Sequence, residues 1–401
     1  MKKISRRKFG AIAAGTIVSP ALAQNLKPIF IGVCNDQSSL FADAGGVGSV
    51  EAARMAIADF GGRALGRPVE VLSADHLNKP ENAAGIVKKW IDVDGVSMLL
   101  DNNPSGPALA IQGVTKERNR IAIHVGAGTS DLTGSACSPV GFHWAYDTFS
   151  LAATTGTVAT QQGGRSWFFL TADYNFGYAL ERDTTRFVQQ NGGKVLGSVK
   201  HPLNSSDFAS YLLQAQASGA RVIGLANAGA DTANAISQAQ EFGITQGGQR
   251  LVGLLVYITT VHSLGLEKSQ GLLVSESYYW DLNEGSREFG KRFFKTFQRM
   301  PTMVHAGSYS GVLHWLKAVD RAKTEATLAV AAAMREIPIQ DFMTQNGTIR
   351  KDGRVIRDMH LFEVKKPSES RNAWDYYSLV KTLPGSEAFR PMSEGGCLFA
   401  T

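Results

Sequence analysis

Cysteine is scarce: the 401 residues hold three, Cys34, Cys137 and Cys397. That is too few for a disulfide scaffold, and none stands in a CxxC or CxxH spacing that would suggest zinc. Catalytic signatures are missing as well. There is no GxSxG nucleophile elbow, no GxxxxGK[ST] phosphate loop, no HExxH helix, and no i, i+4 pair among the eight histidines. Beyond the amino-terminal leader no apolar run is long enough to span a bilayer, so the mature chain is expected to be soluble. Excess charge of one sign is also lacking. The formal net charge is +6, but Lys2, Lys3, Arg6, Arg7 and Lys8 belong to the leader, which has no acidic residue, and without these five the balance is +1. A basic patch for a nucleic-acid partner therefore has little support.

β/α alternation is what the chain has instead. Met98-Leu99-Leu100-Asp101 reads as a strand, Asn102-Asn103-Pro104-Ser105-Gly106-Pro107 as a polar break, the run to Asn119 as an amphipathic helix, and Arg120-Ile121-Ala122-Ile123-His124-Val125 as a second strand. This is the βαβ unit of a parallel sheet. Its loops, including Gly126-Ala127-Gly128-Thr129-Ser130, fall at the carboxyl ends of strands, where open α/β sheets bind ligands. Backbone N–H groups and the hydroxyls of Ser105, Thr129 and Ser130, with a helix N-terminus behind them, suit a small polar group. The alternation restarts after Phe142-His143-Trp144-Ala145-Tyr146-Asp147, which marks a crossing into a second lobe.

Residues 1–23 have the layout of a secretory signal peptide, with a basic start, an apolar run over 9–18 and Ala21-Leu22-Ala23 as the cleavage pattern. Ser5-Arg6-Arg7-Lys8-Phe9 looks like the core of a twin-arginine signal, which predicts export of an already folded protein to the periplasm. In that oxidising compartment Cys137 and Cys397, both in Gly/Ser/Pro-rich loops, are expected to pair in preference to remaining free. Cys34, in the apolar first strand, is expected to be a buried thiol.

Strands are predicted over 28–33, 69–73, 96–100, 167–171, 195–200, 222–225, 251–256 and 272–275, with helices between them. Gly45-Gly46-Val47-Gly48 does not meet the GxGxxG spacing and is read as a tight turn rather than a nucleotide loop. Two tandem βα blocks predict two sheets, each covered by helices on both faces. Helices near 287–298 and 307–321 have no strand between them and are placed back on the first lobe. Strand-like alternation over 349–364 and 374–381 is assigned to the second. Lobe 1 is thus drawn as residues 24–146 plus 276–345, and lobe 2 as 147–275 plus 346–401.

The second-lobe loops at 171–177, 227–231 and 257–262 supply Tyr174, Phe176 and Tyr257 as apolar walls with polar tips, and Asn227 as a two-way hydrogen bonder. Such a set describes a small-molecule cleft between domains. Phe176 is equally well read as core. Phe41, Asp231 and Trp280 are further candidates for ligand contact, although Asp231 suits helix capping better. His124 and His262 are read as structural.

In their order along the chain, the leader, the loop from Gly126 through Asp131-Leu132-Thr133, the turn Asp173-Tyr174-Asn175-Phe176-Gly177 and Gly271-Leu272-Leu273-Val274 resemble type I periplasmic binding proteins of ABC transporters, of the branched-chain-amino-acid-binding-like group. Cys137-Ser138-Pro139 with Phe142-His143-Trp144, Tyr279-Trp280-Asp281-Leu282-Asn283 and Trp374-Asp375-Tyr376-Tyr377 resemble a subgroup associated with aromatic acids. The resemblance covers nearly the whole mature chain. It implies an α/β fold of two Rossmann-like lobes joined by a three-crossing hinge and closing on a ligand. It also implies that Ser105 and the groups around Ala127, Thr129 and Ser130 hold a carboxylate, with Tyr174 covering it from the second lobe. Amino-acid binders of the group offer an acidic side chain to the ligand's ammonium from the loop after the last second-lobe strand; here that loop holds Tyr257, Thr259, Thr260 and His262. A buried ammonium without a counter-charge is costly, so the departure favours a carboxylate with an uncharged, aromatic body unless Asp231 or Asp36 substitutes.

The expected function is therefore capture of an organic acid and its delivery to a membrane permease, by a monomer that needs no metal or cofactor and is not an enzyme. The alternatives are a branched-chain amino acid or small amide as ligand, a role as a ligand sensor and, least favoured, a periplasmic enzyme.

Overall fold

Apolar runs with β-branched residues form two parallel sheets. The computed structural model describes residues 27–400, so the expected leader lies outside the described residues. The first block comprises β1 (Ile29–Asn35), α1 (Gly46–Asp59), β2 (Arg63–Ala64), β3 (Arg67–Asp75), α2 (Pro80–Lys89), β4 (Val96–Leu100), α3 (Ser105–Glu117), β5 (Ile121–His124) and β6 (Gly141–His143). Its sheet runs β2-β3-β1-β4-β5-β6, parallel apart from the β2–β3 hairpin. The second block comprises α4 (Thr148–Leu151), α5 (Thr157–Gln161), β7 (Ser166–Ala172), α6 (Asn175–Gln190), β8 (Lys194–His201), α7 (Ala209–Ala217), β9 (Val222–Ala226), α8 (Gly229–Glu241), β10 (Arg250–Gly253), α9 (Ile258–Leu264), α10 (Leu266–Ser269) and β11 (Leu273–Glu276). Strands β10-β9-β7-β8 form an all-parallel sheet.

The chain then returns through α11 (Glu284–Phe297), α12 (Met303–Ala322) and α13 (Thr327–Glu336), followed by β12 (Thr348–Ile349), β13 (Val355–Ile356), β14 (Met359–Val364), β15 (Tyr377–Leu383) and α14 (Gly385–Ala388). Helices α11 and α12 pack on α1, where the lack of an intervening strand placed them. Ile31, Val33, Met98, Leu100 and Ile123 join α1 and α12 in one core, whereas Cys34, Leu99 and Ala122 join α2 and α3 in another. This split is the period-two alternation of strands covered on both faces. Helix α13 had no counterpart in the sequence reading; its buried Val330, Ala331, Ala333 and Met334 are mostly small and mark a weak stripe.

The continuous strand expected over 349–364 is broken. Gly353 turns the chain with φ of 87°, and its carbonyl accepts the His143 N–H at 2.9 Å while Arg354 bridges His143. Gly353 and Arg354 thus lie against His143 of β6, the edge strand of the first sheet, and satisfy its backbone N–H. Only β14 and β15 join β11, in an antiparallel sheet whose Phe362, Val364 and Tyr377 share a core with Leu170, Ile223 and Leu225 of the second sheet. The last residues also return to the first lobe, where Cys397 is disulfide-bonded to Cys137. The tail thus touches both blocks: α14 packs on α4, and Glu394 pairs with Arg186 of α6 at 2.5 Å. Cys34 is the buried free thiol, pushed up to about 12 by burial.

At the first crossing Arg354 is fully buried, donating to the Tyr146 carbonyl at 3.0 Å and to Asp147 Oδ2 at 3.5 Å. Burial lowers its guanidinium to about 9 and raises the Asp147 carboxyl, opposing their mutual attraction. Asp147 in turn caps α4 through the Ser150 N–H at 2.8 Å. The backbone on either side of Tyr146 is thereby held.

Candidate ligand-binding site

Helix starts converge where the two lobes face each other. Pro104, Tyr174, Ala228 and Tyr257 are the N-cap residues of α3, α6, α8 and α9, and all four line one cavity. Extended backbone at an N-cap aims its side chain forward of the helix, and the first-turn N–H groups behind it favour negative charge. Phe41, Ser105, Gly126, Gly128, Tyr146, Phe176 and Leu255 complete the wall. The lining contains five aromatic rings and no acidic side chain.

From the first lobe, Asp101 positions the floor. It is buried after β4, accepts Asn35 Nδ2 at 2.9 Å and the Gly126 N–H at 3.0 Å, and is raised by burial. Ser105 opens α3, and its Oγ accepts the Thr129 N–H at 3.1 Å, leaving the hydroxyl proton to be donated elsewhere. Tyr146, on the segment that crosses between the lobes, donates to the Gly126 carbonyl at 2.7 Å and lies 2.7 Å from the Tyr257 hydroxyl of the second lobe. Phe41, Tyr174 and Phe176 pack in a row, with ring centroids 6.4 and 5.9 Å apart. Burial raises the hydroxyls of Tyr146, Tyr174 and Tyr257 above the ordinary phenol range, so all three stay protonated.

The lobes meet closely. A Cβ on Gly229 of α8 would stand 2.5 Å from the Leu40 carbonyl of the first lobe, and the cavity is only about 10 Å³, the size of one water. A second cavity that shares Tyr257 with it, lined also by Ser39, Leu40, Asp43, Asn234, Thr259 and Thr260, holds about 220 Å³. A larger cavity of about 580 Å³ lies at the amino ends of β9 and β10, beside Arg221, Arg250 and Lys268. Open α/β sheets bind at the opposite, carboxyl end, and Arg221 and Arg250 are already committed to the Gly248 carbonyl and to Gln162. The small interlobe cavity is therefore the candidate site.

Of the residues singled out from sequence, the structure brings Ser105, Tyr174, Tyr257 and Phe41 together with Phe176. The others lie apart from the lining. The Ala127 carbonyl accepts His143 Nε2 at 2.6 Å, with the ring kept neutral by burial, and Thr129 caps the turn after it through the Asp131 N–H. Ser130 donates to Asp183 Oδ2 at 2.9 Å, and its carbonyl accepts Arg390 at 3.0 Å. Asn227 bonds His201 and Thr232, and Trp280 donates to the Trp374 carbonyl. Asp231 does not cap its own helix; it accepts the N–H groups of Asn204 and Ser205 at 3.1 and 2.9 Å, and burial raises its carboxyl to about 6. These polar groups face inward because each braces a neighbouring loop. His124 is buried against Asn102 and lowered to about 3, and His262 stacks on Trp374.

Tyr146 was not among the sequence candidates. The signal was present in an aromatic run ending at a lobe crossing, but the ring's direction depends on the hinge. Among the described residues no group of His, Cys, Asp and Glu is arranged to hold a metal ion, and no helix is long and apolar enough to cross a membrane.

Comparison with known proteins adds three structures and a family. A periplasmic binding protein from Burkholderia mallei is 47% identical, with TM-score 0.92, covering 94% of this chain and 100% of that one. A branched chain amino acid ABC transporter periplasmic ligand-binding protein from Burkholderia xenovorans LB400 is 38% identical, with TM-score 0.84, covering 93% and 100%. A solute binding protein of an ABC transporter from Rhodopseudomonas palustris BisB5, in complex with 3,4-dihydroxy benzoic acid, shares the fold at 19% identity and TM-score 0.81, covering 90% and 98%. A family model described as periplasmic binding protein matches residues 28–370, and with the two-lobed architecture around an interlobe cleft it follows that the chain belongs to the periplasmic binding protein family, of the ABC-transporter type.

Proposed function

We propose that this protein captures an aromatic carboxylate between its lobes outside the cytoplasm and delivers it to the permease of an ABC transporter. The observation that carries the reading is the cleft wall: five aromatic rings, no acidic side chain, the Ser105 hydroxyl, and the starts of α3, α6 and α8 facing the same space. Aromatic walls suit an apolar ring, and helix starts with a hydroxyl donor suit its carboxylate. A ring enters as the lobes part and the side chains swing aside, and contact with both lobes makes closure favourable. The R. palustris structure shows that this fold accommodates a benzoic acid in that protein.

A branched-chain amino acid is the second reading, favoured by the description of the B. xenovorans protein. It requires a counter-charge for the ammonium. Asp36 is occupied by the N–H groups of Ser39 and Phe41, and Asp231 by those of Asn204 and Ser205. Monomeric action, twin-arginine export and the absence of catalysis belong to the same proposal. Calorimetric titration of the protein from residue 24 onward tests it, with benzoate-type, cinnamate-type and phenylpyruvate-type acids beside leucine, isoleucine and valine. Binding of the aromatic acids alone is expected; binding of the aliphatic amino acids alone overturns the reading.

A further inference from the structure

The paired tyrosines fix the direction of every proton at one end of the cleft. A carbonyl oxygen only accepts, so the contact between the Tyr146 hydroxyl and the Gly126 carbonyl, at 2.7 Å, consumes the Tyr146 proton. The 2.7 Å contact between the two hydroxyls must then have Tyr257 as donor and Tyr146 as acceptor. Both protons are spent inside the wall. Gly126 is itself anchored by its N–H to Asp101 at 3.0 Å, so the relay has a rigid end. What the Tyr257 oxygen has left is a lone pair, so at the cavity that Tyr257 lines it can accept and not donate. Ser105 has the opposite character, because its oxygen receives the Thr129 N–H and its proton is left to donate.

We infer that Tyr257 is a specificity-determining residue that accepts a hydrogen bond from a hydroxyl on the ligand's ring, so that the cleft prefers hydroxyl-substituted aromatic carboxylates to unsubstituted ones. The inference rests on the aromatic-carboxylate reading above and deepens it. The R. palustris likeness, at 19% identity, shows the fold alone, whereas the relay is built from Gly126, Tyr146 and Tyr257 of this chain. A ring without a hydroxyl leaves the Tyr257 lone pair dry and unmatched on closure, and one carrying an acceptor in its place meets it with like polarity.

Titration of the whole mature protein with benzoate, its three monohydroxy isomers and the matching methoxy compounds tests this, in the wild type and in Tyr257→Phe and Tyr146→Phe. In the wild type the best hydroxybenzoate is expected to bind about ten-fold tighter than benzoate, one neutral hydrogen bond's worth. Tyr257→Phe brings that ratio to within about two-fold. Tyr146→Phe releases the Tyr257 proton, so the wall becomes a donor and the methoxy compound gains on the hydroxy compound. A structural role alone would weaken all ligands together and leave the ratios in place. Equal binding of benzoate and the hydroxybenzoates by the wild type overturns the inference and leaves the aromatic reading standing, as does a preference that survives in Tyr257→Phe. Binding of no aromatic acid overturns both.

Discussion

Gly128→Ala adds one methyl group at the seam between the lobes. The new Cβ would stand 2.6 and 2.9 Å from two carbons of the Phe176 ring and 3.2 Å from the Tyr146 ring. Ordinary carbon contacts lie at about 3.5–4.0 Å, so the Phe176 ring has to retreat by about 1 Å. Gly128 is not among the residues with positive φ, so alanine brings no backbone strain and the effect is steric. Overpacking of this kind costs about 1–3 kcal/mol. Gly128 follows β5 of the first lobe and Phe176 opens α6 of the second, so opening the cleft relieves the clash and the cost falls on the closed form. Ligand binding draws on that form, and the apparent Kd is expected to rise by about 5- to 150-fold. Calorimetric titration with the tightest aromatic acid measures the loss, and chemical denaturation without ligand supplies the control. Unchanged affinity would refute the closure argument, as would an equal loss of stability in the ligand-free protein.

Three further outcomes are expected. Tyr174→Ala removes a second-lobe wall that packs between Phe41 and Phe176, and should weaken binding by about 2 kcal/mol, or roughly thirty-fold; an unchanged Kd with intact unfolding counts against the site. The Cys137–Cys397 bridge spans 260 residues, so replacing both by serine should cost up to about 5 kcal/mol in denaturant unfolding, while the wild type, denatured without reductant, should show the single thiol of Cys34. Two or more thiols there would exclude the bridge. Asp231, raised to about 6, holds a proton in the folded protein that the unfolded chain has released, so its contribution to stability is lost as pH rises from about 4 to 6. Asp231→Asn should flatten stability across that window; an identical slope in both proteins would show that another group is responsible.

Much of the architecture is legible in the chain because it is local. Apolar runs such as Ile29 to Val33, with glycine and hydroxyl residues following β5, specify strands ending in ligand-sized loops, and the small residues of α13 show how a weak stripe escapes that logic. The loops at Ser105, Tyr174 and Tyr257 are legible for the same reason: a loop that follows a parallel strand lies at the carboxyl edge of its sheet wherever the sheet lies. Ser130, Asn227 and Asp231 look identical to site residues in sequence, since a polar side chain at a strand end gives no sign of whether a ligand or a neighbouring loop will claim it. The structure spends all three on bracing. Tyr146 shows the converse. Its hydroxyl meets Tyr257 from 111 residues away, and only the hinge, held by buried Arg354, brings them within 2.7 Å. Sequence by itself determined most of the βα alternation and the lack of an acidic side chain from Tyr257 to His262, because these follow from residue type and order. Tertiary structure decided which hydroxyls remain available to a ligand, because that depends on partners brought together from distant parts of the chain.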